Sequence, residues 1–335
     1  MLSLPDQWIW DFWTFRDGPL WHIWFLKADK SLKDEGLRHW NVSYGHATST
    51  DLTNWQHLGT CFTPSPSPAW DDKTVWTGSV LRDERPEHAG LWHLFYTGTC
   101  AAEHGRRQRI GHATSSDGHD WLRVGNGLVL DLTAGDAASA LYEEDHQGPW
   151  DGRAMRDPWV VKDPAGPGWL MYFTARVATG DELNARGAIG LARSDDLYTW
   201  TLLPPVYAGG DFGQLEVPQV FRIGSRWYCV FCNAADHWSK AQTQRVAAAG
   251  HGTPVWGSHY LVADDARGPW RVADGAFLDG ALPCKRYAAK IVDTGQGLAL
   301  LGFNYWNDAG EFVGSICDPV PVRVDQDSGL LSLAP

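Results

Sequence analysis

Three acidic residues head short segments rich in tryptophan or proline: Trp10-Asp11-Phe12-Trp13, Arg156-Asp157-Pro158-Trp159 and Glu216-Val217-Pro218. Carboxyl groups taken out of water together repel one another, and their pKa values separate. One then stays ionised while another keeps its proton near neutral pH. Glycoside hydrolysis needs that division: a nucleophile or base on one side, and an acid for the leaving oxygen on the other. The neighbours suit a sugar. Trp10, Trp13, Trp76 and Trp159 offer indole faces that stack on a sugar ring and keep water out. Arg156 can pair with a carboxylate or grip a hydroxyl. Singly, each acid reads as a turn or cap residue before a strand. The chemistry requires a fold that gathers all three.

A repeat in the chain points to such a fold. Gly45-His46-Ala47-Thr48-Ser49-Thr50-Asp51 ends at Trp55, and Gly111-His112-Ala113-Thr114-Ser115-Ser116-Asp117 ends at Trp121. Gly190-Leu191-Ala192-Arg193-Ser194-Asp195-Asp196 ends at Trp200, and a weaker copy from Gly257 to Asp265 ends at Trp270. The four tryptophans stand 66, 79 and 70 residues apart. Each copy is an alternating stretch, an Asp-containing turn and a Trp opening the next strand, which is a hairpin pattern. Further short strands are expected at Leu91–Thr97, Trp169–Thr174 and Arg226–Cys232, and a helix at Ser239–Ala249. Four strands in about 67 residues is the size of a propeller blade, and five blades fill 335 residues. The reading is an all-β, five-bladed β-propeller, a single catalytic domain over residues 1–335. Its blades begin near Trp10, Trp76, Arg156, Glu216 and Ala288; the fifth lacks the repeat phrase. The regular period disfavours the alternative, an all-β sandwich. First strands line the channel of a propeller, so Asp11, Asp157 and Glu216 are expected at equivalent positions around its mouth.

Composition removes other classes of function. The chain has 28 Lys and Arg against 40 Asp and Glu, a net charge of −12. That balance, with no basic block, excludes nucleic acid as a partner. No apolar run approaches a membrane span, and no basic amphipathic helix suits a membrane surface. The N-terminus lacks the cationic and apolar regions of a secretion signal. The expectation is a cytoplasmic protein, or a secreted one if a leader has been removed. The six cysteines are scattered and form no disulfide framework. Cys229 and Cys232 fall on opposite faces of one strand and read as buried thiols. Most of the 20 tryptophans are expected in strand packing, and the rest on a surface that receives a carbohydrate.

The same segments resemble the β-fructosidase clan of five-bladed propellers, which includes invertases, fructan hydrolases, levansucrases and inulosucrases. Trp10-Asp11-Phe12-Trp13 resembles the W-D-x-W nucleophile motif of levansucrases. Trp76-Thr77-Gly78-Ser79 is similar to their W-S-G-S, and Arg156-Asp157-Pro158 matches the R-D-P shared across the clan. Glu216-Val217-Pro218 stands where the clan has E-R-P or E-C-P. The resemblance implies that Asp11 is the nucleophile and Glu216 the acid and base. It also implies that Asp157 holds fructosyl hydroxyls, that Thr77 hydrogen-bonds the nucleophile, and that Trp10 and Trp76 wall the first sugar subsite. The invertase W-M-N-D-P-N-G is absent, and a trailing β-sandwich of the invertase kind is not expected within these 335 residues. The implied activity is retaining hydrolysis of β-fructofuranosides such as sucrose or short fructans, with fructosyl transfer where a sugar replaces water. The scheme needs no cofactor and no metal.

Other features have plainer readings. Glu143-Glu144-Asp145 reads as a solvated loop, the second reading being a calcium site. His237 and Trp238 follow a strand of the fourth blade and are candidates to reach the site. Lys285, Arg286, Tyr287 and Lys290 open the fifth blade, where a channel-facing cation would balance the acids. The histidines of the repeat phrase read as blade packing. Two rival functions remain open: an inverting furanosidase of the α-L-arabinofuranosidase kind, and a non-catalytic carbohydrate-binding propeller.

Overall fold

A computed structural model describes residues 1–132, 136–144 and 154–334. Blade I consists of β1 (Gln7–Asp17), β2 (Leu20–Asp29), β3 (Ser43–Ser49) and β4 (Gln56–Phe62). Blade II consists of β5 (Thr74–Arg82), β6 (Trp92–Thr99), β7 (Arg109–Ser115) and β8 (Leu122–Leu130). Blade III consists of β9 (Met155–Lys162), β10 (Trp169–Arg176), β11 (Gly187–Ser194) and β12 (Thr201–Tyr207). Blade IV holds β13 (Glu216–Ile223), β14 (Arg226–Asn233), helix α1 (Lys240–Ala248), β15 (Trp256–Ala263), β16 (Arg271–Val272) and β17 (Asp279–Ala281). Blade V holds β18 (Arg286–Asp293), β19 (Leu298–Trp306), β20 (Phe312–Ile316), β21 (Val320–Val324) and β22 (Leu331–Leu333). Each sheet is antiparallel and follows chain order outward from its first strand. The first strands form a closed ring: β1 lies against β5, β5 against β9, β9 against β13, β13 against β18, and β18 against β1. The Leu2 and Ile316 backbones pair at 3.0 and 2.9 Å, tying the N-terminal segment to blade V.

Burial explains the strand chemistry. Every residue of β6 and β10 is buried, because second strands are covered on both faces by the adjoining blades. They therefore read as continuous apolar runs instead of alternating ones. Twelve of the described tryptophans are buried in this packing. The repeat phrase is the turn between third and fourth strands. Ser49 Oγ accepts the N–H groups of Asp51 and Leu52, and Asp51 Oδ1 accepts those of Thr53 and Asn54. Ser115 with Asp117, and Ser194 with Asp196, repeat the arrangement. The left-handed residue it requires is Leu52, Gly118 or Leu197. Trp55, Trp200 and Trp270 return their indole N–H to the turn carbonyls of Leu52, Leu197 and Ala266 at 3.0–3.2 Å. Ser239 caps α1 by accepting the Gln242 N–H at 3.0 Å, which places the helix where its sequence pattern predicts.

Blades IV and V depart from four strands. In blade IV the outer strand is split into β16 and β17, with Gly275 (φ +110°) between them. In blade V the third strand is split into β20 and β21 across Pro319, which has no N–H for the ladder. The repeat histidines stack inside blades I and II. His22 Nδ1 meets His46 Nε2 at 3.0 Å, and His93 Nδ1 meets His112 Nε2 at 2.8 Å. His46 lies flat on Trp24 and His112 on Phe95, with ring centroids 4.8 and 4.6 Å apart.

Candidate active site

Each innermost strand carries one extra residue at the same height. The β1–β2 register skips Asp11, and the β5–β6 register skips Thr77. In β9, β13 and β18 the extra residue falls within Asp157-Pro158, Val217-Pro218 and Ala288-Ala289. Asp157, Val217 and Ala288 take φ of 58°, 52° and 50°, a conformation rare for residues with a Cβ. Such bulges re-aim a side chain out of the strand's alternation. Five of them in register turn one ring of side chains toward one end of the channel. Asp11, Thr77 and Asp157 share the bulge position. Glu216 does not: it stands one residue earlier, level with Trp10, Trp76, Arg156 and Tyr287. The expectation of three acids at equivalent positions is corrected to two, with the third reaching the site from the preceding position.

The three carboxyl groups nevertheless meet. Asp157 and Glu216 both act on the charge of Asp11. Burial first, and then the Asp157 charge, pushes Asp11 up to about 6. Thr77 Oγ1 opposes this by donating to Asp11 Oδ2 at 2.6 Å. Asp157 is also raised, by burial, against the pull of Arg156. Its Oδ2 accepts from Thr174 Oγ1 at 2.9 Å and the Val217 N–H at 3.0 Å, and its own N–H donates to Thr97 Oγ1 at 2.8 Å. At Glu216 burial is outweighed by the charges of Arg156 and His237 and by Tyr287, so this carboxyl lies below its usual range. Arg156 Nη2 donates to Glu216 Oε1 at 2.8 Å, and the Tyr287 hydroxyl to Oε2 at 2.7 Å. Gln214 and Gln108 hold the same guanidinium at 3.0 and 3.2 Å. Of these two carboxyls, Asp11 therefore keeps a proton to higher pH than Glu216.

Lys290 supplies a buried cation under this group. It is 1 % exposed, donates to the Val217 carbonyl at 2.7 Å and lies 5.5 Å from the Trp159 ring centroid. Burial lowers it to about 8, against the pull of Asp11 and Asp157. Lys285 and Arg286 turn away, to Asp308 and Asp279.

The tryptophans divide. Trp76 is half-buried, donates to the His39 carbonyl at 2.8 Å and lies 5.6 Å from Trp40. Trp159 is half-buried and donates to the Val220 carbonyl at 2.9 Å. Trp10, Trp13 and Trp238 have no open face for a sugar. Trp10 is covered by Arg38 and His39, Trp13 by Tyr44, and Trp238 by Phe212 and Phe277. Trp10 and Trp13 are 2 % and 0 % exposed, so what packs over each ring decides its access, and adjacency to an acid does not. His237 is half-buried and its charge reaches Glu216. Glu143 is taken by Arg176 and Arg186, and Asp145, the third member of the acidic run, lies outside the described residues. Among the described residues no three His, Cys, Asp or Glu side chains cluster to hold a metal.

Residue classes that sequence reasoning passed over complete the mouth. Arg38 and Trp40 come from the short 3-10 helix Glu35–Trp40, Trp256 from the start of β15 and Tyr305 from near the end of β19, with no pattern to mark them. Two surface hollows of about 570 and 480 Å³ lie elsewhere, at Arg82 and Asp17 and beneath α1 at Arg245 and Asp211. Those charges already pair with each other at 2.5 Å.

The family description "Glycosyl hydrolases family 32 N-terminal domain" matches residues 14–264, three quarters of the chain. The chain belongs to glycosyl hydrolase family 32. The matched residues of this family 32 chain include Thr77, Asp157 and Glu216 and begin just after Asp11. It is 25 % identical to the raffinose invertase of Escherichia coli over 309 residues, covering 89 % of this chain and 53 % of that one. It is 29 % identical to a fructan 1-exohydrolase of Leymus chinensis over 191 residues, covering 55 % of this chain and 27 % of that one. The chain thus spans between about a quarter and about half of these curated relatives. The inulosucrase from Halalkalicoccus jeotgali bound to kestose shares the fold, with a TM-score of 0.76 at 20 % identity over 98 % of this chain and 87 % of that one. So does the β-fructofuranosidase from Microbacterium saccharophilum K-1, with a TM-score of 0.71 at 18 % identity over 100 % and 76 % of the two chains.

Proposed function

We propose that this family 32 protein is a retaining β-fructofuranosidase that cleaves sucrose or short fructans and passes the fructosyl group to water or to a second sugar. The observation that carries the reading is the meeting of Asp11, Asp157 and Glu216, from β1, β9 and β13: Arg156 lies 3.5 Å from Asp157 Oδ2 and 2.8 Å from Glu216 Oε1, and both carboxyls act on the charge of Asp11. The names of the relatives, an invertase and fructan exohydrolases among them, agree with it.

In this scheme Asp11, aimed by Thr77, attacks the anomeric carbon and forms a covalent fructosyl-enzyme. Glu216 gives its proton to the leaving oxygen and later takes one from the incoming hydroxyl. Asp157, held by Thr174 and the Val217 N–H, keeps its second oxygen for fructosyl hydroxyls. The resting proton favours Asp11, whereas the first step needs it on Glu216. Both arrangements carry the same number of protons, because coupled acids titrate as a group. The reactive form is the less populated placement of that proton.

The test is a substrate screen with sucrose, inulin, levan and nitrophenyl α-L-arabinofuranoside, followed by NMR of the first anomer released. Fructose released as the β-anomer, and lost in Asp11→Asn and Glu216→Gln, supports the reading. Release with inversion, or arabinose as the only product, replaces it. Glycan binding without turnover, equal in wild type and both variants, makes the propeller a binding module.

A further inference from the structure

The channel has a flank that the scheme above leaves unused. Blade V stands in the ring between blade IV, which carries Glu216, and blade I, which carries Asp11. Tyr305, near the end of β19, is fixed there by its backbone N–H, which donates to the Lys285 carbonyl at 2.8 Å. Its ring lies 5.9 Å from Tyr287, the residue that holds Glu216, and 5.8 Å from half-buried Trp256. On its other side is Arg38, 5 % exposed, with its guanidinium 4.2 Å from the Phe312 ring centroid and 5.6 Å from that of Trp10. Tyr305 and Arg38 pack on the same Phe312 ring, the tyrosine ring 5.3 Å from its centroid, and the Arg38 charge acts on both Asp11 and Tyr305.

A guanidinium can only donate. Its charge therefore draws the Tyr305 oxygen toward it and turns the hydroxyl hydrogen away from Arg38. A fructosyl ring attacked by Asp11 places its leaving oxygen at Glu216. Asp157 occupies the opposite flank, on blade III, so the departing sugar passes along blade V. We propose that Tyr305, oriented by Arg38, determines leaving-group specificity by donating to a hydroxyl of the departing sugar, whose ring lies against Trp256. The inference rests on the fructosidase reading.

Two substrates separate the ideas. Sucrose and methyl β-D-fructofuranoside carry the same fructosyl group, but the methyl compound has no leaving-group hydroxyls. Tyr305→Phe keeps the ring and removes only the donor. Its kcat/KM is expected to fall about tenfold on sucrose, the loss of one hydrogen bond, and to stay within about twofold on the methyl compound. Arg38→Gln also removes a charge that acts on Asp11, so it is expected to slow both substrates and sucrose by the larger factor, and Tyr305→Phe keeps the question answerable if Arg38→Gln does not fold. An equal loss on both substrates, or none on either, overturns the proposal. A wild type that releases fructose from neither fails the fructosidase reading instead.

Discussion

Thr77 Oγ1 lies 2.6 Å from Asp11 Oδ2, and each residue is the extra member of a bulge in the innermost strand of its own blade. The bulges turn both side chains out of their sheets, and the ring brings them together. One oxygen of the nucleophile is thereby held, and the other is left to attack. Thr77→Val keeps the shape and removes the donor. A hydrogen bond to a charged group contributes about 1.5–3 kcal/mol, so kcat on sucrose should fall by roughly ten- to a hundredfold. Thr77→Ser should recover most of it. Steady-state kinetics on the two variants check this; a Thr77→Val enzyme at wild-type rate removes the hydroxyl from the mechanism.

The shared proton sets the pH response. The reactive state needs one proton over Asp11 and Glu216. It is lost as pH rises through the Asp11 value of about 6, and a second proton enters as pH falls through the lowered Glu216 value. kcat/KM is expected to be bell-shaped, with its alkaline limb near pH 6. Tyr287→Phe removes a donor to ionised Glu216. The acidic limb should then move to higher pH, which a pH series of kcat/KM on both enzymes measures.

Lys290 offsets the negative charge of Asp11 and Asp157 from beneath. Lys290→Met fills similar space without the cation. Both carboxyls then rise further, and the alkaline limb is expected to move above that of the wild type, with a lower maximal rate. An unchanged limb assigns Lys290 to packing alone.

The stacked histidines make stability pH-dependent. Burial, reinforced at each by the charge of its partner histidine, lowers His46 and His112 to about 3. The unfolded chain binds these protons near pH 6.5 and the folded chain refuses them. Stability is therefore full above about pH 6.5 and declines as pH falls toward about 3. Each histidine contributes up to about 1.4 kcal/mol per pH unit in that window. Urea midpoints between pH 7 and pH 4 should drop accordingly, and less steeply in His112→Phe.

Much of this molecule is local in origin. The Ser-x-Asp turns, the aromatic second strands and the Ser239 cap are written in contiguous residues, so the repeat phrase marked four blades, and strand-like runs with the length of the chain supplied the fifth. The segments around Asp11, Thr77, Asp157 and Glu216 could be recognised for the same reason, since each motif sits on one strand. Trp10 and Trp13 show the limit of that logic, because nearness in sequence to an acid does not put a side chain on the acid's face.

By itself the sequence determined the strand pattern, the turns that space the blades, and which acids were available for chemistry. Only the ring of bulges decided that Glu216 enters one residue out of step with Asp11 and Asp157. Only the packed site decided that Asp11 holds its proton more tightly than Glu216, and that Arg38 and Tyr305 belong beside them. The physical reason is range: hydrogen bonding within a strand or turn acts over a few residues, whereas burial and charge act through space between blades that the chain keeps far apart.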